Sequence, residues 1–162
     1  MNEIPRLRYP RIVLGLMVAA GIAGAALADG GKSEQGVPLS PKYRQECAAC
    51  HVPFPPGMLP AASWRHVMAD LPRHYGTDAS LDPASTKELS TWIAANAGTY
   101  KRVSEEPTQD RITHSVWFVR KHNEVAAGTW SLPAVKGPSN CAACHPQADQ
   151  GNFNEHSVRI PR

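Results

Sequence analysis

The chain carries one long apolar run, Ile12–Ala28, and never returns to one of that length. Later apolar positions come in short periodic groups. Trp64, Val67, Met68 and Leu71 fall at helical spacing within Ser63–Gly76, with Ser63 in the N-cap role. Leu89, Trp92 and Ile93 do the same within Pro83–Gly98, after the start signal Asp82–Pro83 and before the stop Gly98. A third stripe, Ile112, Val116 and Val119, marks a helix over Arg111–Val125, although its β-branched residues also suit a strand. Ser40 with Pro41 opens a shorter helix, and Ser139 or Asn140 the last one.

The segments between are of a different kind. Val52–Pro60 holds four prolines and cannot be regular, so it reads as a stiff extended loop. Its Phe54, Met58 and Leu59 suit packing over a flat apolar surface. Residues 29–39 form a loose lead-in, 104–110 a polar acidic linker, 126–138 an irregular return, and the tail is extended. The pattern predicts a mainly α protein of two small units, residues 29–103 and 104–162, behind a separate segment 1–28.

That first segment has the build of an export signal. Arg6, Arg8 and Arg11 precede the apolar run, which ends in the small residues Ala26 and Ala28. An uncleaved membrane anchor is the competing reading, but the Ala- and Gly-rich run is weakly apolar for a permanent span. A periplasmic protein is expected. Without residues 1–28 the chain keeps 14 basic and 13 acidic residues, and no Lys/Arg cluster points to nucleic acid. With 15 prolines and 12 glycines in the full chain, much of it is loop. A unit this small gains from a rigid cofactor serving as part of its core.

All four cysteines lie in two copies of one pentapeptide, CAACH, at Cys47–His51 and Cys141–His145. Cys-x-x-Cys-His is the attachment pattern of c-type haem. Cysteines three apart on a helical turn present both thiols to one edge of a macrocycle, and the next His offers an imidazole to the iron. Cys47, Cys50 and His51 then hold one haem c, and Cys141, Cys144 and His145 a second. The rival uses of cysteine fit less well. A disulfide inside such a loop is strained and has no need of His. A redox thiol pair wants a βαβ setting, and a zinc site joining both pairs would span far more chain than a zinc ribbon does. The motifs also sit in different places within their halves, so the chain is not a tandem duplication.

The other side of each iron decides the chemistry. The second half has no methionine, which leaves His114, His122 and His156, with Lys136 as an outlier. In the first half Met58 and Met68 compete with His66 and His74. Met58 lies very near its own CAACH and Met68 fits an apolar stripe, so both suit packing. His66 stands among Arg65 and Asp70 on what reads as a solvent face. His74 follows Pro72 and precedes a turn at Gly76, where a loop can aim a side chain. His122 closes a stretch begun by Trp117 and Phe118, aromatic residues suited to a haem wall. Position therefore favours His74 and His122, the plain alternative for each being a surface histidine.

The run "CAACH…PPGMLPAASW…HYGTDASLD" and then "RIT…WFVRKH…CAACH" resembles the soluble bacterial dihaem cytochrome c family, over roughly Tyr43–Pro161. The resemblance implies an N-terminal domain similar to a class I cytochrome c and a smaller C-terminal haem domain. It implies bis-histidine ligation, by His51 with His74 and by His145 with His122. It also implies electron donation to other redox proteins, among them a high-spin monohaem cytochrome that binds oxygen.

Two imidazoles per iron leave no open site and give a lower potential than His with Met. The expectation is thus a low-potential periplasmic electron carrier and not an enzyme. The alternative is a dihaem peroxidase or small-molecule reductase with one open axial position. Tyr43 and Tyr75, close in sequence to haem ligands, are candidates for lying between the macrocycles, with ordinary pocket packing the plainer role.

Overall fold

In a computed structural model, which describes residues 37–162, helices and 3₁₀ turns are the regular elements, and no strand occurs among the described residues. The expected export segment lies outside the described residues. No helix among the described residues is long and apolar enough to cross a membrane.

Helix α1 covers Pro41–Cys47 and ends on the first cysteine. Its start is the one the sequence signals: the Tyr43 N–H donates to Ser40 Oγ at 3.4 Å, and Pro41 needs no partner at the first helical position. Helix α3, Pro83–Ala95, also starts as expected, with Asp82 Oδ1 accepting from Ala84 N–H (2.9 Å) and Ser85 N–H (3.0 Å).

Helix α2 differs from expectation at both ends, running over Ala61–Ala69. It begins directly after the extended Pro60, whose carbonyl accepts from Trp64 N–H (3.2 Å), so Ser63 lies inside the helix and is fully buried. Pro72 has no N–H and its ring excludes a continuing helix. The chain leaves α geometry at Asp70 (φ −128°, ψ 34°) and makes a 3₁₀ turn, Leu71–Arg73, that sets His74 beyond the helix.

The expected helix over residues 111–125 is shorter and split, into a 3₁₀ turn Ile112–His114 and α4, Val116–Lys121. Ser115 divides them. Its hydroxyl donates to Ile112 O (2.7 Å) and accepts from Phe118 N–H (3.3 Å), a cap that resets the helix. In the new register Val116 and Val119 are 71% and 59% exposed, while Phe118 is buried. The last expected helix is only a 3₁₀ turn, Cys141–Ala143.

Helices α2 and α3 pack together over a core of Leu39, Tyr43, Leu59, Trp64, Leu89 and Ile93. The proline-rich loop before α2 is tied down through its carbonyls. Phe54 O accepts from Tyr43 OH (2.8 Å), Pro56 O from Trp64 Nε1 (2.7 Å) and Gly57 O from Tyr100 OH (2.9 Å). Met58 O accepts from Trp117 Nε1 (3.3 Å) and Leu59 O from Gly98 N–H (2.8 Å). Past residue 104 the buried apolar side chains are few: Phe118, Val135 and Ala148. The described residues, 37–162, fall in one compact unit. The expected boundary at Val103 falls on a 3₁₀ turn, Lys101–Val103, and bonds such as Trp117 to Met58 and Arg44 Nη1 to Asp149 O (2.9 Å) cross it.

Gly98 is needed for close approach. A Cβ there would stand 2.6 Å from Gly57 O and collide with the Val103 side chain. Gly98→Ala should therefore lower stability by roughly 1–3 kcal/mol, the usual cost of overpacking, as read by urea or thermal unfolding.

Candidate functional site

The first site is built where α1 runs out. Cys47 is its last residue, and the chain turns through Cys50 to His51, whose Nδ1–H donates to Val52 O at 2.7 Å. That bond fixes the tautomer and leaves Nε2 free to bind. The Phe54 ring lies beside the imidazole, centroids 4.8 Å and planes 20° apart.

His74 is delivered by a tight turn in which Thr77 N–H donates to His74 O (3.0 Å). The turn needs two left-handed residues, Tyr75 (φ 52°) and Gly76 (φ 95°). Tyr75 carries a Cβ and is held there by its surroundings. Its hydroxyl donates to Asp110 O (3.0 Å) and Gln109 O (3.2 Å), and the Arg111 guanidinium sits 4.3 Å from its ring centre.

The outcome is that His51 and His74 meet, ring centroids 6.2 Å apart and planes within 22°. Both line a cavity of ≈ 570 Å³ with Cys47 and Cys50, against apolar Leu59, Val67 and Leu71.

The second site is made mostly of turns. His122 caps the C-terminal end of α4 and its Nδ1–H donates to Phe118 O (2.8 Å), which again leaves Nε2 free. Its ring stacks on Phe118 at 4.0 Å. His145 follows the Cys141–Ala143 turn, its N–H donating to Cys141 O (2.8 Å), with Phe153 beside it at 5.4 Å. His122 and His145 also stand 6.2 Å apart, but their planes cross at 73°.

Two imidazoles bound in trans to one metal, each at about 2 Å, put their ring centres roughly 6 Å apart. Both histidine pairs have that spacing. His145 Nδ1 is moreover buried with no hydrogen-bond partner among the described residues. Burial, then the neighbouring His51, holds His74 below the ordinary histidine pKa; burial, then His122, does so for His145. Both resist protonation and keep a nitrogen lone pair available. Burial pushes the Cys47 thiol up to about 11, with Glu46 adding to it, and burial pushes Cys141 up to about 11. Activated redox thiols shift the other way. The residues present fit a covalent, iron-bearing macrocycle at each site.

The remaining candidates have other contacts. His66 is exposed and pairs with Asp110 (3.2 Å) and Glu106 (3.5 Å), the group of ligand-type atoms that converges among the described residues; the cysteines do not. His114 Nδ1 bonds Thr108 O (3.1 Å), and His156 and Lys136 are exposed. Met68 packs against the core and also lines the first cavity, next to Val67. Tyr43 is a core residue, and burial raises its phenol well above the ordinary value.

Phe54 and Phe118 carried a signal in the sequence, one as an apolar residue of the proline-rich loop and one as an aromatic suited to a haem wall, and they stand beside His51 and His122; Phe153, beside His145, carried none. Nothing in the sequence marked Ser139 and Cys141 as walls of the first cavity, yet they line it.

Comparison with known proteins agrees with this chemistry. No curated protein matches the chain. A family model described as dihaem cytochrome c matches residues 43–153. Among solved structures, a dihaem cytochrome c from Shewanella baltica is 34% identical, with TM-score 0.67, covering 77% of this chain and 95% of that one. A dihaem cytochrome c from Rhodobacter sphaeroides is 41% identical, with TM-score 0.64, covering 71% and 97%. A second Rhodobacter sphaeroides structure, of DHC, is 43% identical, with TM-score 0.62, covering 73% and 99%. A mainly helical chain with two CAACH motifs and these relatives belongs to the dihaem cytochrome c family, whose cofactors are two haem c groups and whose work is electron transfer.

Proposed function

We propose that this chain is a periplasmic carrier of low potential, both of whose haem irons are ligated by two histidines. The observation that carries the reading is the common 6.2 Å spacing of His51 with His74 and of His122 with His145. Cys47 and Cys50 would hold one macrocycle and Cys141 and Cys144 the other. When bound, each iron supplies reversible one-electron exchange, and the protein's part is to hold and shield it. The Val52 and Phe118 carbonyls keep Nε2 of His51 and His122 unprotonated and aimed. Phe54, Leu59 and Leu71 line the first site and limit water there. Two imidazoles holding each iron would leave no open position on it, which favours a carrier over an enzyme with an open site and would lower the potential relative to a His/Met iron.

The arginines of the leading segment and its Ala-x-Ala end support export. The partners are other redox proteins, and the family resemblance favours an oxygen-binding monohaem cytochrome c among them.

Ligand binding tests the closed coordination directly. Ferric protein should be low-spin at both irons, unchanged by cyanide, and the reduced form unchanged by CO; a high-spin fraction or a CO complex would establish an open site. Exchanging one ligand should act locally. His122→Met is expected to raise one haem potential, within the ~0.8 V range that axial ligands span, and leave the other nearly fixed in a redox titration. His66→Ala should leave both haem spectra as they are, because His66 faces Asp110 and Glu106 rather than the cavity.

A further inference from the structure

The two imidazole pairs share a spacing but not an orientation. The planes of His51 and His74 lie within 22°, whereas those of His122 and His145 cross at 73°. The crossed angle is held in place at His122. Its Nδ1–H donates to Phe118 O at 2.8 Å, and its ring lies on the Phe118 ring with centroids 4.0 Å and planes 22° apart. Phe118 is 7% exposed, its N–H is taken by Ser115 Oγ (3.3 Å), and Trp130 stands 6.5 Å from its ring. One residue thus supplies both a backbone acceptor and a flat surface, and together these leave the imidazole one rotation.

That rotation has an electronic consequence. A hydrogen bond to the outer nitrogen fixes a metal-bound imidazole, and such contacts are among a protein's means of tuning iron. Each imidazole gives π density to the metal d orbital normal to its plane. Parallel rings load one orbital and split the pair; crossed rings load one each and leave the pair nearly degenerate.

We propose that Phe118 is a positioning residue that holds the His122 plane across that of His145, making the second haem electronically distinct from the first. The inference rests on the reading that both irons take paired histidines, and two spectroscopies separate the two claims. Near-infrared magnetic circular dichroism of the ferric holoprotein identifies the axial ligands whatever the ring angle; EPR of the same sample reads the angle.

The expected result is bis-imidazole bands for both haems, with one rhombic EPR signal and one large-gmax signal. Bands of another ligand pair would remove the ligation reading and this inference with it. Bis-imidazole bands beside two rhombic signals would overturn this inference alone. Phe118→Leu keeps the carbonyl and removes the ring. It should retain two haems per chain and lose the large-gmax signal to a rhombic one, with the first haem's signal unmoved. A spectrum unaltered in Phe118→Leu would overturn the role of Phe118. Phe118→Tyr keeps the stacked ring and should keep the wild-type spectrum; loss of the large-gmax signal there would equally overturn it.

Discussion

The fold is organised by the carbonyls of one proline-rich loop. Four prolines in Val52–Pro60 strip backbone donors from it and leave it no regular element beyond a 3₁₀ turn, Pro56–Met58. What remains is a row of acceptors that must be satisfied if buried. Carbonyls at 54, 56, 57, 58 and 59 take donors from Tyr43, Trp64, Tyr100, Trp117 and Gly98 respectively. Each such bond contributes only about 1 kcal/mol net, but together they tie four separate stretches of chain to the segment that leads away from His51. Aromatic donors suit the task, because a phenol or indole brings a large apolar body with its one polar atom. Two of the rings that secure the loop, Tyr43 and Trp64, are also part of the core.

How much of this was legible depended on whether the signal was local. Ser40–Pro41 and Asp82–Pro83 encode helix starts in the residues themselves, and α1 and α3 begin there. His74 was selected because Pro72 and Gly76 bracket it with a helix end and a turn, and the chain does swing it to His51. His122 was selected from its aromatic neighbours, and it does stand beside Phe118 and opposite His145. The errors came where the answer lay in packing. The Val116 and Val119 stripe shows that a helix has an apolar face, not that anything covers it, and both are exposed. Ser115 was readable as a cap but was hidden inside a longer periodic match. Ser63 has the right chemistry for a cap, yet Pro60 supplies the extended entry first and Ser63 is buried.

The two sites reach one spacing by different means. The first has a conventional core behind it, with α2 and α3 supplying Trp64, Leu89 and Ile93. The second has turns, three aromatic rings and few buried aliphatic side chains. A region that buries so little of its own needs other sources of order, and a large rigid cofactor is one. Of the left-handed residues, Tyr75 hydrogen-bonds through its hydroxyl to the carbonyls of Gln109 and Asp110, so local strain is offset by contacts between distant stretches of chain.

Ser139 and Cys141 line the cavity beside His51, although some ninety residues of chain separate them from it. The cavity beside His51 is therefore whole only when both stretches of chain are present, and cleavage anywhere between residues 104 and 138 followed by loss of the later piece would open its wall on that side.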